Sequence, residues 1–434
     1  MDITFSKHTL ANGLDVLLHE AHGCPIIAVN IWYHVGSKNE QPGHTGFAHL
    51  FEHLMFEGSQ HHDSGFFQPI QAAGASLNGS TNADRTNYWE LVPASALELA
   101  LWMESDRMGY LLPALTDQKF NNQRDVVLNE RRQNYENRPY GLSSMALLAA
   151  LYPDDHPYHW TTIGEIADLK AAKLEEAHAF FRRYYHPANA SIALAGDFES
   201  EAALSLVRAY FESIPAGPRV DPVKRTVSLD ADRRVYLEDR IELPRLYLGW
   251  HTPAMYDDGD ADLDLATDLL ANGKTSRLYK RLVYKERIAT DVAASQSSRE
   301  MSGYVQVSAT AAPGHSLGEL YHAIGEELDA VADAGPTDDE IGRGRVSAET
   351  QFVQRLQTVG GFGGKSDQLN AYNTFLGRAD YFTEDLARYE AVTHASLQKT
   401  VAQYLRDAPR VVLSVVPKGR LDLAIPDSST VAVS

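Results

Sequence analysis

Three polar side chains set into an apolar stretch, His49, Glu52 and His53, are the residues of this 434-residue chain best placed to do chemistry. They lie in TGFAHLFEHLMFEGS, residues 45–59, where Phe47, Ala48, Leu50, Phe51, Leu54, Met55 and Phe56 make a helix apolar nearly all round. Such a helix is buried. The spacing i, i+3, i+4 brings the three polar groups to one face and one level of it. Two buried imidazoles beside a carboxylate are costly to desolvate, and a divalent metal ion satisfies them directly. Zinc fits this set: two histidines on adjacent turns reach one ion, and a carboxylate one position before the second histidine can take a proton from water there. The chemistry expected is peptide hydrolysis with Glu52 as general base, on one Zn2+ per chain. A hydrolytic zinc site uses three protein ligands, and the motif supplies two. Patterning leaves the third open among Glu104, Asp106, Asp125, Glu130 and Glu136, on the two helical stretches that follow.

Those groups need a framework. With 44% hydrophobic and 22% charged residues the chain has the composition of packed globular domains. Proline and glycine in SIPAGPRVDPV, residues 213–223, punctuate its middle. The halves run alike on either side: IIAVNIWYHVG and LYLGWHTPA open them at an offset of 220 residues, and Tyr184 and Tyr404 repeat that offset near their ends. The expected architecture is α+β, with two homologous domains, each a mainly antiparallel sheet with helices packed on one face. Residues 1–214 form the zinc-binding domain, 215–225 a linker, and 226–434 a homologous domain lacking the motif.

The net charge of −19 disfavours nucleic acid and anionic membrane as partners. No run of 18 or more apolar residues marks a membrane span. Cys24 is the only cysteine, so no intrachain disulfide forms and the metal ligands are His and carboxylate. The expected location is bacterial cytoplasm, or periplasm if a signal peptide has been removed.

H-x-x-E-H is the reversed zinc motif of the inverzincins. The chain resembles the pitrilysin family, close to bacterial relatives of the mitochondrial processing peptidase. GFAHLFEHLMFEGS, GASLNGSTNADRTNY, FNNQRDVVLNERRQNYENRP, HPYHWTTIG and SRLYKRLVYKERIA carry the resemblance in the family's order. It implies that the third ligand is Glu130, which ends VVLNE 77 residues past His53. Gln123 stands where the family usually has another glutamate, seven residues earlier. The resemblance also implies that Asn78 and Gly79 lie on a sheet-edge strand that holds extended peptide substrates by backbone pairing. Active members carry an arginine and a tyrosine in the second half, at positions occupied here by Val283 and Thr290. The expected assembly is therefore a heterodimer with a homologous subunit supplying the Arg/Tyr pair, a homodimer being the other arrangement. A non-catalytic core or peptide-binding scaffold of the same fold is the alternative reading.

GGFGGKS, residues 360–366, lacks the first glycine of a phosphate loop and reads as a connection between helices. His61, His62 and Asp63 read as a solvated loop, and His156 and His159 as parts of a turn.

Overall fold

A computed structural model describes residues 3–433. Their strands form two six-stranded sheets. The first contains β1 (Ser6–Thr9), β2 (Asp15–Glu20), β3 (Ile26–Tyr33), β4 (Ser76–Thr81), β5 (Thr86–Pro93) and β6 (Ala190–Gly196), in the order β1-β2-β6-β3-β5-β4. The second contains β7 (Arg233–Asp239), β8 (Arg245–Thr252), β9 (Ala289–Ser297), β10 (Gly303–Ala311), β11 (Val411–Pro417) and β12 (Ser429–Thr430), in the order β12-β7-β11-β8-β10-β9. Five strands follow the same path in both, β2-β6-β3-β5-β4 matching β7-β11-β8-β10-β9. Ile26–Tyr33 and Arg245–Thr252 are the corresponding central strands, so the 220-residue offset is a repeat of topology. Pairing is antiparallel except β2 with β6, β7 with β11 and β7 with β12. The fold is mixed α+β with one sheet per half.

The division into compact units departs from a cut at residues 215–225. Of the described residues, one unit comprises 3–130, 161–223 and 351–383, and the other 131–160, 224–350 and 384–433. Each half thus contributes a helical segment to the other half's sheet, so helices cover both faces. In the first unit, helix Lys365–Leu376 lies on the β3/β6 face opposite Tyr33 and Tyr88. Its Asp367 accepts hydrogen bonds from Trp32 Nε1 (2.8 Å), Asn87 Nδ2 (3.2 Å) and Asn30 Nδ2 (3.3 Å). Asn370 donates to the Asn30 carbonyl at 2.8 Å. Several buried polar side chains of the sheet bond this one helix, which ties its register to β3. In the second unit, helix Ser143–Leu151 does the corresponding service. A Cβ on Gly249 of β8 would come within 2.8 Å of Leu147 Cδ1, so the helix packs closely over the strand there. The other face of that sheet buries Leu246, Leu248 and Trp250 against Leu263, Leu320, Ile324 and Leu397.

No helix of the described residues is long and apolar enough to cross a membrane.

Candidate metal centre

The motif segment forms helix Phe47–Leu54, and its start is built by two residues. Gly46 precedes it at φ +89°, where a Cβ would lie 2.8 Å from Leu169 Cδ2 and 3.0 Å from the Ile163 carbonyl. Only glycine takes that conformation in that space. Buried Glu40 then accepts from the Gly46 and Ala48 amides, at 2.9 and 2.8 Å, answering N–H groups that a helix start leaves open. Phe47, Ala48, Leu50, Phe51 and Leu54 are buried. Phe51 stacks on Phe180 at 5.8 Å and meets Phe181 and Tyr185 at 5.7 and 5.2 Å, while Tyr88 Oη donates to its carbonyl. This packing on one side leaves His49, Glu52 and His53 along the other.

His49 and His53 lie ring to ring at 4.9 Å, nearly perpendicular. Their Nε2 atoms stand 3.7 and 3.4 Å from one oxygen of Glu130, near the end of helix Asp117–Arg131. Ligand atoms on a tetrahedral zinc with bonds of about 2.0–2.1 Å stand about 3.3–3.4 Å apart, so the three can close on one ion with small adjustments. His49 faces Glu130 through Nε2, and its buried Nδ1 has no hydrogen-bond partner among the described residues. Burial, together with the His53 ring, pushes the His49 pKa down to about 4. The imidazole is therefore neutral at pH 7, the form that binds a metal. The donor set fits zinc. The Glu52 carboxyl is raised by burial, against which the Thr81 hydroxyl and the His53 ring act in the lowering sense. A raised carboxyl beside a metal site suits proton transfer near neutral pH.

The other carboxylates left open by patterning are engaged elsewhere or stand apart from this cluster. Glu104, Asp106 and Arg107, on helix Leu97–Ala114, are buried beneath the motif. Arg107 Nε donates to Glu104 at 2.8 Å, Nη2 reaches Glu90 at 3.3 Å, and the guanidinium lies 3.9 Å from the Phe66 ring and 4.2 Å from that of Tyr88. Burial and the Glu104 carboxylate push Glu90 well above the usual carboxylate range. Asp106 bonds the Ser59 hydroxyl and the His61 amide and ring. Glu136 pairs with Arg131 at 3.5 Å, and Asp125 is exposed. The loop after the motif is exposed, as expected, and also tied down: His62 donates to the Gly65 carbonyl at 3.1 Å and Asp63 pairs with Lys119. Gln123 donates to Glu57 instead of to a metal ligand. His159 Nδ1 donates to the Tyr152 carbonyl at 2.8 Å.

Asn78 and Gly79 lie on β4, the outermost strand of the first sheet. Asn78 is exposed, and its side-chain oxygen takes the Gly79 amide at 2.8 Å. A Cβ at Gly79 would lie 3.2 Å from Phe56, so the strand passes tightly under the end of the motif helix. Thr81, two residues on, was not singled out by sequence reasoning. Its signal was strand alternation, which places it on the same side as Gly79. In the second unit, Val283 packs against the apolar core and the Thr290 hydroxyl donates to Asp291 at 3.2 Å.

Residues 15–158 match the family model described as Insulinase (Peptidase family M16), and residues 171–346 the one described as Peptidase M16 inactive domain. Zinc protease PqqE of Helicobacter pylori is 28% identical over 94% of this chain and 92% of its own length. A probable mitochondrial-processing peptidase subunit beta of Arabidopsis thaliana is 22% identical over 94% of this chain and 78% of its own. The crystal structure of a protease from Helicobacter pylori superposes with a TM-score of 0.87 at 25% identity, covering 96% of this chain and all of that one. With models of both family domains matched in order and the same two-domain fold, the chain belongs to peptidase family M16, the pitrilysin family.

Proposed function

We propose that this chain is a zinc-dependent endopeptidase subunit that hydrolyses extended peptides. The observation that carries the reading is the convergence of His49, His53 and Glu130 on one point beside the half-buried carboxylate of Glu52. Zinc, when bound, polarises the scissile carbonyl and acidifies water next to it. Glu52 takes a proton from the attacking water at a carboxylate oxygen and delivers it to the leaving nitrogen. β4 offers its free edge to the substrate backbone, with Asn78 and Gly79 at the pairing positions, so affinity rests on main-chain hydrogen bonds and requires an extended substrate.

Glu130→Gln tests the ligand set. Loss of the anionic ligand is expected to weaken zinc binding by more than about 100-fold, beyond what second-shell changes cost. Competition with a chelating dye measures it, and Glu136→Gln serves as control. Unchanged zinc affinity in Glu130→Gln, or a loss confined to Glu136→Gln, would assign the third ligand elsewhere.

Val283 and Thr290 offer neither a cation nor a phenol to steady the substrate carbonyl. A homologous subunit carrying the Arg/Tyr pair therefore completes the site. Oxyanion-type stabilisation is worth about 10²–10³ in rate. The isolated zinc-loaded chain is expected to cleave an unstructured quenched peptide at least that much more slowly than the chain mixed with such a homologue. Full activity of the chain alone removes the need for a partner. The scaffold reading draws on the inactive-domain model matched by residues 171–346. It predicts a purified chain without stoichiometric zinc, whereas the peptidase reading predicts one zinc per chain.

A further inference from the structure

The motif helix and the edge strand β4 are both held by one short segment, Gly36 to Glu40. We infer that this segment is the spacer that sets β4 against the Glu52 carboxylate, with Lys38 as its positioning residue. The inference rests on the peptidase reading and names what fixes the bond presented for cutting.

At one end the segment starts the motif helix, through the Glu40 carboxylate on the Gly46 and Ala48 amides. At the other it grips the turn between β4 and β5. The Ser37 and Lys38 amides donate to the Asn82 and Ala83 carbonyls at 3.2 and 2.9 Å. A Cβ on Gly36 would collide with the same two carbonyls, so segment and turn lie in backbone contact. Lys38 closes this junction. Its ammonium is buried, 3.4 Å from the equally buried carboxylate of Asp84 and 3.2 Å from Nε2 of His34. Enclosed pairs of this kind add little net stability, and their best attested service is to fix register. Between the two ends stands a single 3-10 turn, Ser37–Asn39, closed by the Asn39 and Glu40 amides on the Gly36 and Ser37 carbonyls at 3.0 and 3.2 Å. The gripped turn is braced as well: the Asn82 side-chain oxygen accepts from the Asp84 and Arg85 amides at 2.7 and 2.9 Å. A shift at Lys38 therefore passes to Thr81, Gly79 and Asn78 on β4. A peptide paired to β4 would move with them, past a carboxylate that stays with the motif helix. A misplacement of about 1 Å between reacting groups costs about 10² in rate.

The test uses the zinc-loaded full-length chain together with a homologous partner subunit, and a long unstructured peptide whose cleaved bonds are read by mass spectrometry. Lys38→Met combined with Asp84→Leu removes the pair without leaving a buried charge, so the fold persists. Cutting at the parent's main bond, relative to the neighbouring bonds, is expected to fall by about tenfold or more, because the paired strand no longer meets Glu52 at one offset. Gly36→Ala pushes the turn from the other side and is expected to change the pattern likewise, whereas Lys38→Arg keeps a cation on Asp84 and the parent's pattern. A loss of folded molecules lowers all cuts alike, so a changed pattern reports position. Amide hydrogen exchange of the metal-free chain gives a second readout: residues 76–85 are expected to exchange about tenfold or more faster in the double variant, with residues 47–54 as in the parent. Should the double variant lose zinc, Gly36→Ala decides. Variants that keep the parent's cleavage pattern, or unchanged exchange in residues 76–85, overturn this inference alone. Failure of the parent to cleave the peptide overturns the peptidase reading and this inference with it.

Discussion

Glu52→Gln is expected to lower kcat by about 10³-fold or more while one zinc stays bound per chain, because the change removes a base and no ligand. Glutamine has the shape of glutamate, so the helix register and the spacing of His49 and His53 persist. What disappears is an oxygen able to hold a proton. Burial raises the Glu52 carboxyl in the intact protein, which brings it toward the pH at which accepting and returning a proton are both easy. The Thr81 hydroxyl near it acts in the lowering sense. Single-turnover cleavage measured alongside zinc content separates the two roles. A Glu52→Gln enzyme that turns over within tenfold of the parent, zinc retained, would show that the base is another group. Loss of zinc in the same variant would show that Glu52 is needed to hold the metal.

The second large effect concerns stability. Arg107→Ala is expected to cost about 3–5 kcal/mol, the range for breaking a buried ion pair by removing one partner. The guanidinium is fully enclosed. It answers Glu104 and Glu90 and fills the space against Phe66 and Tyr88, so its removal leaves an unpaired buried carboxylate and a void together. Denaturant titration of the variant measures the loss. Replacing the whole cluster, Arg107→Met with Glu104→Leu and Glu90→Leu, is expected to recover most of it, because no buried charge then remains. A deficit that persists in the triple variant would assign the cost to the aromatic contacts instead. Arg107→Ala unfolding within about 1 kcal/mol of the parent would remove the cluster from the account of stability. Because Phe56 links this cluster to the motif helix and β4, damage here also reaches the edge strand proposed to hold substrate.

Much of the site was legible because its logic is local. Three polar residues at i, i+3 and i+4 must share a face of any helix they form, whatever surrounds it, and the apolar residues between them require burial of the rest. Glu130 is a different case. Periodicity alone offered it beside Glu104 and Asp106, and the resemblance singled it out. Helical patterning does not say which neighbour a helix packs against. Helix Leu97–Ala114 turns Glu104 and Asp106 into the layer below the motif, to hold Arg107 and the loop at His61, while helix Asp117–Arg131 brings Glu130 to the imidazoles.

The sequence by itself determined the two local patterns that recur: the metal-type helix and the 220-residue order of strands and helices, both products of short-range spacing. Only the tertiary structure decided how the two halves share their segments. The central strands IIAVNIWY and VVLSVV do not alternate polar with apolar residues, a sign that both faces of each sheet are covered. Which segment covers them is set by contacts hundreds of residues apart, such as Asp367 on Trp32 and Leu147 under Gly249, and no periodicity carries that information. The pocket beside Glu52 is likewise a product of packing. Phe56, Phe67, Glu57 and Gln123 come from three separate stretches of chain, and they form one cavity only because the end of the motif helix, helix Phe67–Ala72 and helix Asp117–Arg131 meet there.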